Sequence, residues 1–331
     1  MKTITFNTKG RDGFIDFIKA YAILCVLFGH TFFWLDKVVY GIWAGMQVPL
    51  FVLVQTFHCY KKEKITINIG RIFGRVVLPF VIVEIITFIT ALLFAGYDYN
   101  TLIDKFLNGG GYGPGAYYPW IYLQVAFSLP LFGLLLKKCS KLTSLILFLV
   151  ICEGFEVLFS LVDFPDTVYR LLCVRYVFLF YLGWLWVREG VRINWFTILL
   201  STLSLASIIY FEYISINDEP WFYATSWKYH RWPCYFFVAN GFVGLLYILW
   251  NRLSRFEIIN KITSTLSSAS YEIFLLQMML IFLIKKESVS FIPSVLFQFV
   301  FYVLLIWPLS IVGGILVNRL LRPKSTKMHE K

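Results

Sequence analysis

Ten apolar runs, each close to 20 residues, follow one another along the chain. They fall near 14–35, 38–60, 72–96, 117–136, 142–162, 169–187, 193–214, 233–250, 262–284 and 295–317. A helix needs about 20 residues to cross the hydrocarbon core of a bilayer, and no soluble domain repeats that pattern from end to end. Charged residues make up only 15% of the 331 residues and mean hydropathy is +0.72, against roughly 25% charge in a soluble domain. The expected fold class is therefore all-α, a polytopic membrane protein of about ten transmembrane helices. Residues 1–13 read as a cytoplasmic segment, 14–317 as a single transmembrane domain, and 318–331 as a basic cytoplasmic tail. The first run is too long for a secretory h-region, it contains Asp16 and Lys19, and no small-residue cleavage site follows it.

The net charge of +11 is an orientation signal before it is anything else. With both termini in the cytoplasm, 20 of the 30 Lys and Arg fall on inside segments, among them Lys61, Lys62, Lys137, Lys138, Arg188 and Arg192. Seven fall outside: Lys37, Lys105, Arg170, Lys228, Arg231, Lys285 and Lys286. That asymmetry follows the positive-inside rule and removes the need for a nucleic-acid partner. The six cysteines are scattered, with no paired spacing, and read as small buried hydrophobes; no disulfide framework or metal site is expected.

Ionisable residues inside a span are costly and mark candidate function. The first run holds Asp16, Lys19 and His30. At about 100° per residue they share one face about 60° wide, with His30 some 21 Å above Asp16 and nearer the outer surface. Asp16 and Lys19 are also i, i+3 neighbours able to pair. A histidine beside an outer loop and a structural ion pair near a helix end explain the same residues without chemistry. Arg71 and Arg75 enter the third run from the cytoplasm, placed to hold an anion or to snorkel. Glu84, Glu153, Glu156, Arg175, Asn240, Glu272 and Gln277 are further polar groups at membrane depth. His58 reads as interfacial, and His230 and His329 as solvated. Two aromatic-rich outer segments, 97–119 and 215–232, suit either an interfacial belt or a sugar-stacking surface. "GGGYGPG" lacks a phosphate-loop ending and reads as a flexible loop.

The run "DFIKAYAILCVLFGH" resembles the first-helix signature of the bacterial acyltransferase-3 membrane acyltransferases, a basic residue, ten others, then histidine, met here by Lys19 and His30. "VPLFVLVQTF" resembles that family's second helix, with Gln55-Thr56 where Ser-Gly is common. "RIFGRVVLP" is similar to its paired arginines, with three residues between them where two is usual. "YYPWIYL", with Trp120 and Tyr122, is similar to its fourth-helix opening, and "SASYEIFLLQ" to its Ser-Tyr-x-Ile-Tyr-Leu-x-His stretch. The latter matches at Ser270 and Tyr271, with Phe274 for Tyr and Gln277 for His.

The resemblance implies transfer of an acyl group, most often acetyl, from cytoplasmic acyl-CoA to a hydroxyl of a cell-surface or lipid-linked carbohydrate. His30 would be the general base, and Lys19, Arg71 and Arg75 the donor-binding residues. Asp16, Glu84, Trp120, Tyr122, Ser270, Tyr271 and Gln277 would support them. It also implies a bacterial cytoplasmic membrane location, acetyl-CoA as donor substrate, no tightly bound cofactor, no metal and no SGNH domain. Any group orienting His30 must come from another helix, because Asp16 is about 21 Å away along its own. A transporter or flippase for a polar or glycolipid substrate is the alternative that buried charges at several depths also fit.

Overall fold

The structure is a computed structural model, and it describes residues 2–7, 9–31, 46–62, 65–162, 165–216, 234–284 and 294–321. Each of the ten apolar runs is helical over most of its described residues. They form α1 (Gly13–Thr31), α2 (Gln47–Tyr60) and α3 (Ile69–Phe94), then, after a short α4 (Tyr99–Gly109), α5 (Tyr118–Lys138) and α6 (Lys141–Leu161). The rest are α7 (Val177–Glu189), α8 (Trp195–Ile216), α9 (Cys234–Leu253), α10 (Glu257–Leu283) and α11 (Val295–Leu321). Among the described residues seven of these, α1, α3, α5, α6, α9, α10 and α11, are long and apolar enough to span a bilayer. The chain is thus an all-α polytopic membrane protein. Of the other three runs, α2 has 14 described residues, with 38–45 outside the described set, α7 has 13, and α8 has a shorter apolar stretch, Trp195–Tyr210.

The sixth run, expected as one span over 169–187, starts instead as a broken segment. Residues 170–173 are turns between a short helix at Asp166–Tyr169 and a 3-10 turn at Val174–Tyr176. Irregular backbone survives in a membrane protein only where its polar groups find partners. Gln124 on α5 supplies them: its Nε2 donates to the Leu171 carbonyl and its Oε1 accepts from the Cys173 N–H at 3.0 Å.

α1 is the central post. It packs on α2, α9, α10 and α11, and Ile15, Ile18, Ile23 and Leu27 are at most 1% exposed. The outer helices turn apolar stripes outward at helical spacing, Ile82, Ile85, Ile86, Ile89 and Leu93 on α3 and Leu304, Val312, Leu316 and Leu320 on α11. Lipid covers such stripes; water would not tolerate them.

Loop contacts sort the helix ends into two sets. At one end strand β1 (Lys2–Ile4) pairs antiparallel with β2 (Val191–Ile193). There Lys61 Nζ donates to the Gly10 carbonyl, Lys141 pairs with Glu189, and Glu189 lies 3.1 Å from Arg192. At the other end Arg170 bonds the Asn108 carbonyl, Tyr97 stacks on Phe282 at 5.1 Å, and Tyr302 bonds the Ile284 carbonyl. The first set holds the Lys- and Arg-rich loops, which the positive-inside rule assigns to the cytoplasm.

Residues 97–119, expected as an outer loop, contain α4. Asp98 caps it by accepting from the Thr101 N–H at 2.9 Å, and Gly110, at φ +74°, closes it in the left-handed conformation. The two Thr101 hydrogen bonds hold the Asp98 carboxyl below its ordinary range. Residues 217–233 lie outside the described residues, and with them most of the second aromatic segment and His230; His329 also lies outside.

Candidate functional site

α1 carries the polar stripe at two levels, as its arithmetic requires. At the cytoplasmic level the stripe meets α10 at one residue. Ser267 donates its hydroxyl to Asp16 Oδ1 at 2.6 Å, and its carbonyl accepts from Lys19 Nζ at 2.8 Å. Arg11 pairs with the other Asp16 oxygen and reaches the Ser264 carbonyl at 3.3 Å. Asp16 and Lys19 are therefore brought together through Ser267. His58, in the last turn of α2, shares this neighbourhood with Lys19, Lys61, Asp16 and Lys62 as the charges acting on it.

At the outer level His30 Nδ1 lies 3.1 Å from Gln277 Oε1 on α10. An amide oxygen only accepts, so Nδ1 carries the hydrogen and Nε2 keeps the lone pair. Gln277 is 0% exposed, and its Nε2 has no partner among the described residues. The imidazole, itself half-buried, lines a small, partly open cavity of about 20 Å³, room for about one water, with Val26, Gln47, Val48, Phe51, Gly115, Tyr117, Tyr118 and Phe274.

The "GGGYGPG" segment is packed against this level, which corrects its reading as a flexible loop. Tyr112 is 3% exposed, and its N–H donates to Glu84 Oε2 on α3 at 2.8 Å. Burial pushes the Tyr112 phenol above its ordinary range, and the nearby Glu84 and Tyr99 add to the shift. Gly113 sits at φ +91°, where a Cβ would collide with the Met278 carbonyl oxygen. Gly115, at φ +89°, would bring a Cβ to 2.9 Å from the Phe274 ring and 3.4 Å from His30 Cε1. Only glycine lets backbone come this close to a helix in this conformation. Trp120 braces the loop by donating its indole N–H to the Gly110 carbonyl at 2.6 Å.

The paired arginines open α3. Arg71 follows Asn68, whose side chain caps its N–H, and both Arg71 and Arg75 are exposed. Between them begins a π-turn, Phe73–Val77, which accommodates one extra residue within a helix. Such a turn displaces a carbonyl from the helical ladder, and here the Tyr271 hydroxyl donates to the Val76 carbonyl at 3.0 Å. α9 repeats the device: its π-turn Phe237–Phe242 contains Asn240, and Trp186 donates to the Ala239 carbonyl at 3.0 Å. Tyr122 receives Gln55 Nε2 at its carbonyl, and Ser270 donates to the Ser267 carbonyl. Arg175 stacks over the Tyr176 ring at 4.6 Å and bonds its hydroxyl, while Glu156 accepts from Tyr169.

The structure thus joins His30 to Gln277, Asp16 and Lys19 to Ser267, Glu84 to the glycine loop, and Tyr271 to the arginine turn. Sequence reasoning missed Ser267, Arg11 and the loop glycines. Ser267 lies three residues before Ser270 on a serine-rich helical turn, and the glycines lie directly before the aromatic segment, so both signals were present.

No curated protein and no solved structure matches the chain in comparison searches. A family model, described as an acyltransferase domain, matches residues 12–319, nearly the whole chain and every site group described above except Arg11. The chain belongs to the acyltransferase-3 family and is a membrane acyltransferase.

Proposed function

We propose that the protein moves an acyl group, acetyl in the first instance, from cytoplasmic acyl-CoA to a hydroxyl of a cell-surface or lipid-linked carbohydrate, in the cytoplasmic membrane of a bacterium. The observation that carries this reading is the Nδ1 contact of His30 with Gln277 beside a small cavity. It leaves Nε2 as the ring's proton acceptor, and imidazole's ordinary pKa of about 6.5 suits that task at neutral pH. The acceptor hydroxyl gives its proton to Nε2 while its oxygen bonds the acyl carbon. The carbon–sulfur bond then breaks and the proton passes to the departing CoA thiolate. Gln277 Nε2 is a buried donor that a bound carbonyl can satisfy.

On this reading Lys19, Arg71 and Arg75 serve the donor. Arginine forks match phosphate oxygens, and both arginines are exposed at the cytoplasmic end of α3. Lys19 stands about 16 Å below His30 along α1, so the acyl-bearing arm of CoA would rise between the two levels. Asp16 and Ser270 hold the Ser267 turn, Tyr271 holds the arginine turn, Trp120 braces the glycine loop, and Tyr122 packs edge-on to the cavity residue Tyr118.

The test uses purified full-length protein with radiolabelled acetyl-CoA and glycan from the producing cell. His30→Ala is expected to lower transfer at least about a hundredfold, the scale of a general base, with acetyl-CoA binding retained. Arg71→Ala or Arg75→Ala is expected to weaken acetyl-CoA binding about tenfold. Full transfer by His30→Ala contradicts the assignment, and an arginine variant that changes acceptor affinity alone contradicts the donor placement.

A further inference from the structure

The cavity at His30 holds about one water, so no sugar fits without movement of a wall. Most of its lining side chains come from α1, α2, α5 and α10. The exceptions are Gly115 and Tyr117, from residues 110–117, the only non-helical wall among the described residues. A non-helical wall is the cheapest to displace, because moving it breaks no helical ladder. Yet this loop is fastened along its first half, at Gly110, Tyr112 and Gly113. The Glu84 carboxyl accepts from the Tyr112 N–H, Trp120 donates to the Gly110 carbonyl, and the Gly113 backbone lies against the Met278 carbonyl. Gly113 and Gly115 thus touch α10 one residue after and three residues before Gln277.

We propose that residues 110–117 are the gate between the His30 cavity and the outer face, and that Glu84 is the positioning residue that keeps it shut. Glu84 thereby decides whether the acyl group meets a sugar hydroxyl or water. With the gate closed, an acyl thioester at His30 is sheltered. A carbohydrate opens the gate because its own contacts replace those of the loop, whereas water supplies no such contacts. If the gate opens without an acceptor, water attacks the acyl carbon, the carbon–sulfur bond breaks, and acetate, CoA and a proton are released. This specificity role rests on the transfer reading above, but the gate itself is measurable without any acyl chemistry.

Val48 lines the cavity from α2 and takes no part in the chemistry. In Val48→Cys protein in membranes, labelling of position 48 by a membrane-impermeant thiosulfonate added at the outer face reads gate opening by mass spectrometry. Adding Glu84→Ala is expected to speed labelling about tenfold, the effect of one lost buried hydrogen bond. Adding Glu84→Gln, whose amide oxygen accepts from the Tyr112 N–H, is expected to leave the rate within about twofold of the Val48→Cys parent. Equal labelling with and without Glu84→Ala overturns the gate. Purified Glu84→Ala given acetyl-CoA alone is expected to release free CoA about tenfold faster than wild type, and His30→Ala is expected to remove that excess. Faster labelling without faster CoA release overturns the role in choosing acceptor over water and leaves the transfer reading standing. Excess release that survives His30→Ala places the chemistry elsewhere and contradicts the transfer reading, with the labelling result unaffected.

Discussion

An imidazole whose Nδ1 hydrogen is taken by an amide oxygen has one nitrogen left for chemistry, and Gln277 does this for His30. Gln277→Leu removes the acceptor and frees the ring to turn or change tautomer. It is expected to lower kcat about tenfold with little change in acetyl-CoA affinity, read by steady-state kinetics and a separate binding isotherm. Gln277→His, whose ring nitrogen can accept the same hydrogen, is expected to retain most of kcat. Equal losses in both variants would show that the amide acts by packing alone. At this scale the sequence was informative for residues that break the lipid rule. Asp16, Lys19 and His30 stood out because charge at membrane depth is costly, and helical geometry put them on one face at two heights. It did not show that Ser267 and Gln277 would meet α1, because a serine or glutamine carries no sign of which helix it will touch. Glycine hides its role most, since its lack of a side chain looks like freedom until the neighbouring backbone is in place.

Among the described residues two helices contain a π-turn, and the first explains the spacing of the arginines. The extra residue between Arg71 and Arg75 is taken up by Phe73–Val77, so the helix from Leu78 onward keeps its buried face, with Phe80, Val83, Glu84 and Thr87 turned inward. Gly74 makes no packing contact that a Cβ would disturb. Deleting Gly74 is expected to convert the π-turn to an α-turn and leave the thermal midpoint in detergent near that of wild type. Deleting Ile82, an exposed residue of the same helix, rotates the segments on either side by about 100° relative to each other and is expected to abolish folded protein. Equal tolerance of both deletions would contradict the π-turn account. The apolar runs made the spanning helices legible, whereas α4, capped by Asp98 and Gly110, went unread inside an expected outer segment. The break before α7 was not legible, because Arg170–Cys173 is apolar enough to read as helix. It is irregular because Gln124, 49 residues before Cys173 and on another helix, satisfies its backbone. Gly113→Ala, at a positive φ and against the Met278 carbonyl, is expected to cost at least about 1–2 kcal/mol, measured by thermal or denaturant unfolding.

The two sets of loop contacts give the molecule two chemically different ends. The end with Arg11, Lys61, Lys141 and Arg192 also carries the Ser267 junction and the arginine turn; the other carries the glycine loop and α4. Between them α1 runs unbroken from Asp16 to His30. This division was legible from charge, because Lys and Arg are retained on the cytoplasmic side regardless of how the helices pack. The central claim is that an acyl group enters at the basic end and leaves at the other. Inside-out membrane vesicles that contain the protein and luminal glycan, supplied externally with radiolabelled acetyl-CoA, measure this most directly. The account predicts label on glycan inside the vesicles, none from right-side-out vesicles given the same external acetyl-CoA, and none with His30→Ala. Equal labelling in both orientations, or label confined to glycan on the side where acetyl-CoA was added, would contradict it.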